Sequence, residues 1–291
     1  PLTADEEIAL RQAAAAIPPE YRGYAIKNSD GLSSYELTQE DADHDWTLES
    51  PVQRTGAAFV GYSRGGNRDW DGVLEETIRD LRSNPQTAAY IGLVEGVVGL
   101  TETVLPPEKL WHCLREPHAG ELVIPRKLRN GHRVHINPFA FDPSVKQLRL
   151  SSNFLSYSDY NALDVESGLT RSVGTQLVVA FLMSSFGQLQ FEMESYNREG
   201  ARSVEKHHLE KIRLFDPRWI RPLQRVAILT ALAGLPYPLP TDRPPFGQPE
   251  LLALDDLFAD EIVRRYPALD KHSLLAEVHH LLFEWLEARN P

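Results

Sequence analysis

The stretch "ELVIPRKLRNGHRVHI", residues 121–136, decides the fold that we expect for this chain. Two β-prone runs flank Asn130 and Gly131, a dipeptide that tolerates the positive φ angles of a tight hairpin turn. In the second run Val134 and Ile136 alternate with basic residues, so one face of the strand can contact a hydrophobic core while the other faces solvent or a ligand. The pattern therefore predicts a β-hairpin that belongs to a sheet.

Apolar segments on the C-terminal side of this hairpin predict what the sheet packs against. Residues 147–157, "QLRLSSNFLSY", alternate in a similar way and predict a further strand. Residues 173–196 carry apolar side chains at helical spacing, and almost all of the first half is apolar, which is typical of a buried central helix. We therefore expect a mixed α+β fold in which a hairpin-containing sheet packs against this helix.

The two ends of the chain have a different character. Residues 5–16 and 71–83 have helical spacing, with polar and weakly periodic sequence between them. After residue 220 the sequence predicts helices only, first "RPLQRVAILTALAGL" and then two amphipathic segments beyond a proline-rich connector. We expect an irregular and helical segment over 1–85, an α+β domain over 86–220 and a helical C-terminal extension over 221–291.

Charge and cysteine content limit the classes of function. The 291 residues carry a formal net charge of −11, which argues against indiscriminate adhesion to nucleic acids or membranes, so any anion-binding surface must be local. The single cysteine, Cys113, excludes an intramolecular disulfide framework and suits a reducing compartment. The longest apolar run, residues 177–183, is too short to span a bilayer, and the acidic beginning is unlike a secretory signal. We expect a cytoplasmic protein without membrane contact.

Two basic segments stand out against this acidity. The first basic segment, residues 121–136, has no acidic residue after Glu121, and the second basic segment is residues 197–217. Lysine and arginine neutralise phosphates with release of counterions, and arginine can also bind the major-groove edge of guanine. Segments so distant in sequence serve one DNA molecule only if they share a surface, so we expect them to converge. The candidate DNA-binding residues are Arg126, Lys127, Arg129, Arg133 and His135 in the first segment and Asn197, Arg198, Arg202 and Lys206 in the second.

A simpler interpretation of both segments stays open. Charged side chains on solvent-facing surfaces are common, and acidic residues elsewhere in the fold could pair with the first segment. In the second segment Glu199, Glu205 and Glu210 lie among the basic residues and could form ordinary ion pairs at helical spacing. Either segment alone is therefore compatible with a solvated surface.

Motifs for catalysis and metal binding are missing. The sequence contains neither a G-x-S-x-G nucleophile elbow nor a phosphate-binding P-loop. The adjacent His207 and His208 would point about 100° apart on a helix and could not bind one metal together. His279 and His280 lie in an amphipathic helix, where partial burial accounts for them. We therefore assign neither catalytic residues nor a metal site to this chain.

Six segments taken in order resemble one family. They are "GVVGLTETVL" (96–105), "ELVIPRKLRNGHRV" (121–134), "LSSNFLSY" (150–157), "LVVAFLMSSFGQLQFEME" (177–194), "GARSVEKHHLEKIRLFDP" (200–217) and a helical tail beginning near "LDDLF". Their order and pattern resemble the C-terminal target-recognition region of adenine-specific DNA methyltransferases of restriction-modification systems. In that family a glycine-containing unit closes the region before a proline, and Gly200, Val204, Leu209 and Ile212 match it here. The resemblance covers about residues 90–265.

The catalytic signatures of that family do not accompany the resemblance. Its "N-P-P-(Y/F)" tetrapeptide holds the flipped adenine, but this chain offers only "RPPF" at 243–246, and Arg243 has no acceptor for the exocyclic amine. The glycine turn that opens the region is irregular, with Thr101 where asparagine is common, and the methyl-donor loop is absent. The resemblance thus implies a part that recognises DNA without the part that methylates it.

The resemblance also implies partners and a cofactor. We expect double-stranded DNA as one partner and a catalytic methyltransferase domain or subunit as the other, with S-adenosylmethionine bound there and not by this chain. This chain could be a fragment or a separate subunit of such an enzyme. Two alternatives stay open, namely a protein-interaction scaffold that uses its C-terminal amphipathic helices, and a nuclease with an undetected active site.

Overall fold

The computed structural model describes residues 3–26, 29, 32, 34–38, 40–41, 45–48, 79–98, 120–128, 131–141, 148–150, 153–157, 169–198, 201–240 and 247–289. The chain forms two compact units. The first unit consists of Pro1–Ile26, Ala42–His118 and Lys146–Arg149, and the second unit of Lys27–Asp41, Ala119–Val145 and Leu150–Pro291.

Helices and short strands alternate along the chain. Their order is α1 (Ala4–Ala16), β1 (Arg22–Ile26), β2 (Asp45–Leu48), α2 (Pro85–Val98), β3 (Leu122–Pro125), β4 (Lys127–Leu128), β5 (His135–Ile136), β6 (Leu148–Leu150), β7 (Phe154–Tyr157), α3 (Arg171–Met183), α4 (Ser185–Glu194), β8 (Tyr196–Arg198), β9 (Ala201–Ser203), α5 (Lys206–Leu209), α6 (Pro222–Gly234), α7 (Pro249–Arg265) and α8 (Lys271–Arg289). Within the described residues the strands form three three-stranded sheets with the orders β2-β1-β6, β5-β3-β7 and β4-β9-β8. The expected mixed α+β class is confirmed.

The first unit begins with the predicted N-terminal helix. Thr3 and Glu6 form a capping box, in which the Glu6 carboxylate accepts from the Thr3 amide at 2.7 Å. The helix stops at Ile17 because Pro18 disfavours helical backbone in the residue before it. The antiparallel pair β1 and β2 was not predicted, since its sequence lacks clear alternation. Of the predicted helix 71–83, residues 79–83 are helical, and the rest lies outside the described residues.

The second unit contains the sheet predicted from residues 121–136. β3 lies at its centre and pairs antiparallel with β5, where Leu122 faces Ile136, and with β7, where Leu122 faces Tyr157. All four residues of β3 are buried. Gly131 has a φ of 116°, as expected for the glycine of a turn. The predicted antiparallel return of the chain is thus confirmed.

The return is not a simple two-residue hairpin, however. β4 leaves the sheet of β3 and pairs with β9 instead. The turn near Gly131 also contacts a distant segment, because a Cβ atom on this glycine would lie 2.7 Å from the carbonyl oxygen of Leu239. Likewise, the single strand expected over 147–157 is divided between β6 and β7, which belong to different sheets.

The central helix is buried as expected but is broken. α3 and α4 meet at Ser184, whose extended backbone bends the pair by 67°. The prediction of one continuous helix over 173–196 is therefore wrong, while its burial is confirmed. At the break the Ser185 amide donates to Asp255 Oδ1 at 2.7 Å, so a side chain from α7 caps α4.

The C-terminal helices complete the core of the second unit. α6, α7 and α8 occur where the sequence predicts helices, and α8 packs against α4 and α7. His279 of α8 is buried and lies 2.8 Å from Asp255. Within the described residues, no single helix is long and apolar enough to cross a membrane, and α3 and α4 reach the required length and composition only as a bent pair.

Candidate nucleic-acid interface

The sheet β4-β9-β8 joins the two basic segments. Lys127 of the first segment pairs with Ser203 of the second, and Ser203 pairs on its other side with Tyr196. Next to the sheet, Arg126 Nη1 lies 2.6 Å from Glu205 Oε2, although these residues are 79 positions apart in sequence. The two basic segments therefore meet in one sheet, whereas the expected convergence of all their basic side chains on one surface is not seen, because Arg133 and Arg202 are buried.

The two faces of this sheet differ in exposure. Residues directly opposite each other on paired strands lie on the same face, and neighbours along a strand alternate. The pair Leu128 and Arg202 lies on the inner face, with exposed fractions of 2% and 1%. Lys127, Ser203 and Tyr196 form a row on the outer face, which we call the outer row. Lys127 is exposed, and Tyr196 has 52% of its surface exposed.

The structure corrects the expectation that Arg202 contacts DNA. Its guanidinium donates to Glu192 Oε1 at 2.5 Å and to His132 Nδ1 at 2.6 Å, and it lies 5.4 Å from the ring centroid of Phe191. A charge this deeply buried needs a charged partner and further hydrogen bonds to offset its lost hydration. Arg202 has both, so its role here is structural.

Arg133 and His135 are also interior residues, contrary to expectation. Arg133 donates to the Ser29 carbonyl at 2.9 Å, and His135 Nδ1 lies 3.1 Å from the Ser34 carbonyl oxygen. Burial lowers the pKa of His135 to about 4, so the imidazole is neutral at pH 7. Alternation in β5 was expected to expose one face, but residues 35–37 bond to the Ile136 backbone and cover this strand.

Three predicted cations stay near the surface and define what we call the basic edge: Arg126, Lys127 and Lys206. Lys127 and Lys206 are exposed, and Arg126 is partly exposed in its ion pair with Glu205. The Lys206 Nζ atom lies 3.9 Å from the Glu210 carboxylate, at the limit of an ion pair. The basic edge is therefore accessible to an anionic partner.

The remaining candidates are only partly located. Asn197 and Arg198 lie on β8 beside β9, where their backbone positions are described. Arg129 lies outside the described residues. These three stay predictions.

Sequence reasoning missed Tyr196. Its ring lies edge-on to His208 with the centroids 4.6 Å apart, and 6.2 Å from the exposed ring of His207. His208 is buried, and its Nδ1 accepts from the Glu205 amide at 3.0 Å, which caps α5. Burial, together with His207 and Lys211 nearby, lowers the pKa of His208. No signal in the sequence identifies Tyr196, because its position in the outer row depends on the strand register, which the sequence alone does not reveal.

No metal cluster accompanies this surface. Across the described parts of the chain, no group of three or more histidine, cysteine, aspartate or glutamate side chains could hold a metal ion. The arrangement of cations around an aromatic side chain is instead suited to contacts with phosphates and bases.

Comparisons with known proteins agree with this picture. Residues 115–231 match the family model described as the specificity domain of restriction endonuclease BpuSI. The solved structure of the type IIG restriction endonuclease BpuSI is similar in fold, with a TM-score of 0.55 and 18% sequence identity. The similarity covers 96% of this chain and 27% of that one, so this chain spans about a quarter of that enzyme's length. No curated protein sequence matches the chain.

The family match bears directly on the basic segments. Residues 115–231 include the first and second basic segments and the whole β4-β9-β8 sheet. The resemblance to a target-recognition region of restriction-modification systems is therefore confirmed for this part of the chain.

Proposed function

We propose that this chain, with its specificity-domain match over residues 115–231, reads a target sequence in double-stranded DNA through the outer row and the basic edge. The observation that carries this assignment is the pairing of Lys127 with Ser203, because it places both basic segments on one sheet. Phosphate contacts from the basic edge would position the duplex, and base contacts would supply the specificity.

The charge distribution supports this assignment. With a net charge of −11, most of the surface repels a duplex, so a local basic edge confines where DNA can bind. The Arg126 and Glu205 ion pair is partly exposed, and such pairs contribute only about 0 to 1 kcal/mol. Arg126 can therefore exchange Glu205 for a phosphate at little cost.

Catalysis belongs to a different region in this proposal. The partner is an adenine-specific, S-adenosylmethionine-dependent methyltransferase domain or subunit that holds the cofactor and flips the base. This assignment of catalysis to a partner is supported by the sequence, which contains the recognition motifs but neither the methyl-donor loop nor the catalytic "N-P-P-(Y/F)" motif. The "RPPF" segment at 243–246 lies outside the described residues. We also place the protein in the cytoplasm, on the basis of its composition.

DNA binding by the chain is the first test. A library of random duplexes is selected on the immobilised chain, and the affinity of the enriched duplex is measured at several salt concentrations. The parent chain should bind the enriched duplex more tightly than a scrambled one. Each phosphate contact should contribute about −0.9 to the slope of log affinity against log salt.

Single substitutions then locate the surface. Lys127→Ala and Lys206→Ala should each reduce the magnitude of the slope by about 0.9. Arg11→Ala is the control, because Arg11 is an exposed cation on α1 and outside the matched residues. A parent chain that shows no salt-dependent binding contradicts the proposed function. Lysine variants that behave like Arg11→Ala contradict the proposed surface.

A further inference from the structure

The outer row contains a large aromatic side chain next to a cation. Tyr196 and Lys127 lie on either side of Ser203 in register, so their side chains leave the sheet on the same face. Ser203 itself is buried between these two longer neighbours. A partner that binds Lys127 from this side is therefore within reach of the Tyr196 ring.

The Tyr196 ring is supported from behind. Its centroid lies 4.6 Å from that of His208 at an interplanar angle of 82°. His208 is in turn fixed by the hydrogen bond from the Glu205 amide, and Glu205 pairs with Arg126 of the basic edge. The ring is thus oriented before any partner binds, which reduces the entropy that binding would cost.

An aromatic ring makes a different contact from a lysine. It can pack against a thymine methyl group or the face of an unstacked base, and its hydroxyl can bond to a base edge. Because it carries no charge, it releases no counterion when it binds. Tyrosine is also among the residues that most often dominate the binding energy of protein interfaces.

From this geometry we infer that Tyr196 is a base-contacting residue that helps to determine the recognised sequence, while Lys127 of the same row contacts the phosphate backbone. The inference rests on the proposed function and adds a specific residue to it. It also explains why a half-exposed tyrosine lies within a basic surface.

The test compares two tyrosines of similar exposure. Tyr266 at the end of α7 is 50% exposed, against 52% for Tyr196, and it lies outside the matched residues. The 291-residue chain and its variants Tyr196→Ala, Tyr196→Phe and Tyr266→Ala are assayed on the duplex enriched by the parent. The random-duplex selection is then repeated with each variant.

Tyr196→Ala should weaken binding to the enriched duplex by about tenfold or more. It should leave the salt slope unchanged, whereas Lys127→Ala lowers the slope. Its own selection should lose the preference for at least one base position. Tyr196→Phe keeps the ring and should retain most of the affinity, and Tyr266→Ala should match the parent.

The outcomes separate the two ideas. If the parent binds DNA but Tyr196→Ala keeps the parent's affinity and base preferences, the inference is wrong and the proposed function stands. If the parent does not bind DNA, the proposed function itself fails. Should Tyr196→Ala be unfolded by circular dichroism, Tyr196→Leu replaces it and retains an apolar contact with His208. The same loss of affinity and base preference is then expected.

Discussion

Arg202 donates a hydrogen bond to His132 Nδ1 at 2.6 Å, and so links the second basic segment to the first inside the protein. His132 Nε2 lies 2.9 Å from the Leu182 carbonyl oxygen, which can only accept. The imidazole is therefore protonated on Nε2, and its Nδ1 accepts from Arg202. This chain of contacts runs from β9 to the end of α3 and positions the sheet that carries the outer row.

Replacement of Arg202 by alanine should act on stability rather than on DNA contact. The Glu192 carboxylate would stay buried without its guanidinium partner, and loss of one partner of a buried pair costs about 3 to 5 kcal/mol. Urea denaturation should show this loss for Arg202→Ala, while the exposed Lys127→Ala stays within about 0.5 kcal/mol of the parent. Equal stability of the two variants would contradict the assigned role of Arg202.

Stability should fall in mild acid because of His135. Its pKa is depressed in the folded protein to about 4 from an ordinary value of 6.5, so the folded state favours the neutral ring. The stabilisation is complete above pH 6.5 and is lost as the pH falls towards 4, by up to roughly 1.4 kcal/mol per pH unit. Urea denaturation across this range should give a flatter profile for His135→Gln.

The control for this pH effect is the exposed His280, which lies 3.4 Å from Glu284. His280→Gln should retain the slope of the parent between pH 6.5 and 4. His208 contributes in the same direction as His135, because its pKa is also lowered. An unchanged slope in His135→Gln would show that His135 is not buried in its neutral form.

Asp255 should stabilise the junction of α3 and α4. It accepts from the Ser185 amide at 2.7 Å and lies 2.8 Å from His279 Nε2, so Asp255→Ala removes a buried carboxylate that contacts two buried polar groups. We expect a loss of about 3 kcal/mol in the free energy of unfolding. Asp256→Ala, which removes only a partly exposed partner of Lys271, should cost about 1 kcal/mol or less. Similar losses in both variants would argue against the capping role.

Gly131 should not tolerate a side chain. Its φ of 116° strains any other residue, and a Cβ atom would lie 2.7 Å from the backbone oxygen of Leu239. Gly131→Ala should therefore cost about 1 to 3 kcal/mol or more in thermal or urea unfolding. Gly234→Ala is the matched control, since a Cβ atom there meets nothing within 4 Å. If both variants unfold alike, the close approach to Leu239 is absent in solution.

Much of the second unit could be predicted from local patterns. The helices α6, α7 and α8 follow from apolar spacing, and the positive φ of Gly131 is the one that an Asn-Gly dipeptide predicts. The order of short motifs was enough to indicate target recognition, which the family match confirms. These signals could be recognised because residues that are neighbours in the sequence determine the local backbone conformation.

Other features depended on partners that lie far away in the sequence. The break at Ser184 is capped by Asp255, 70 positions beyond Ser185, and β4 joins β9 instead of its neighbour β3. No periodicity within either segment identifies such partners. A strand of two residues, such as β4, is also too short to show any alternation.

The candidate site shows the same division. Its composition by itself determined that two basic segments exist, and the order of motifs added the resemblance to a target-recognition region. Only the tertiary structure decided that Arg202 turns inward while Lys127 and Tyr196 share the outer face. The physical reason is that an arginine can be buried where a carboxylate pairs with it and another group accepts its remaining hydrogen bonds. For Arg202 these groups are Glu192 and His132, which come close to it only when the chain folds.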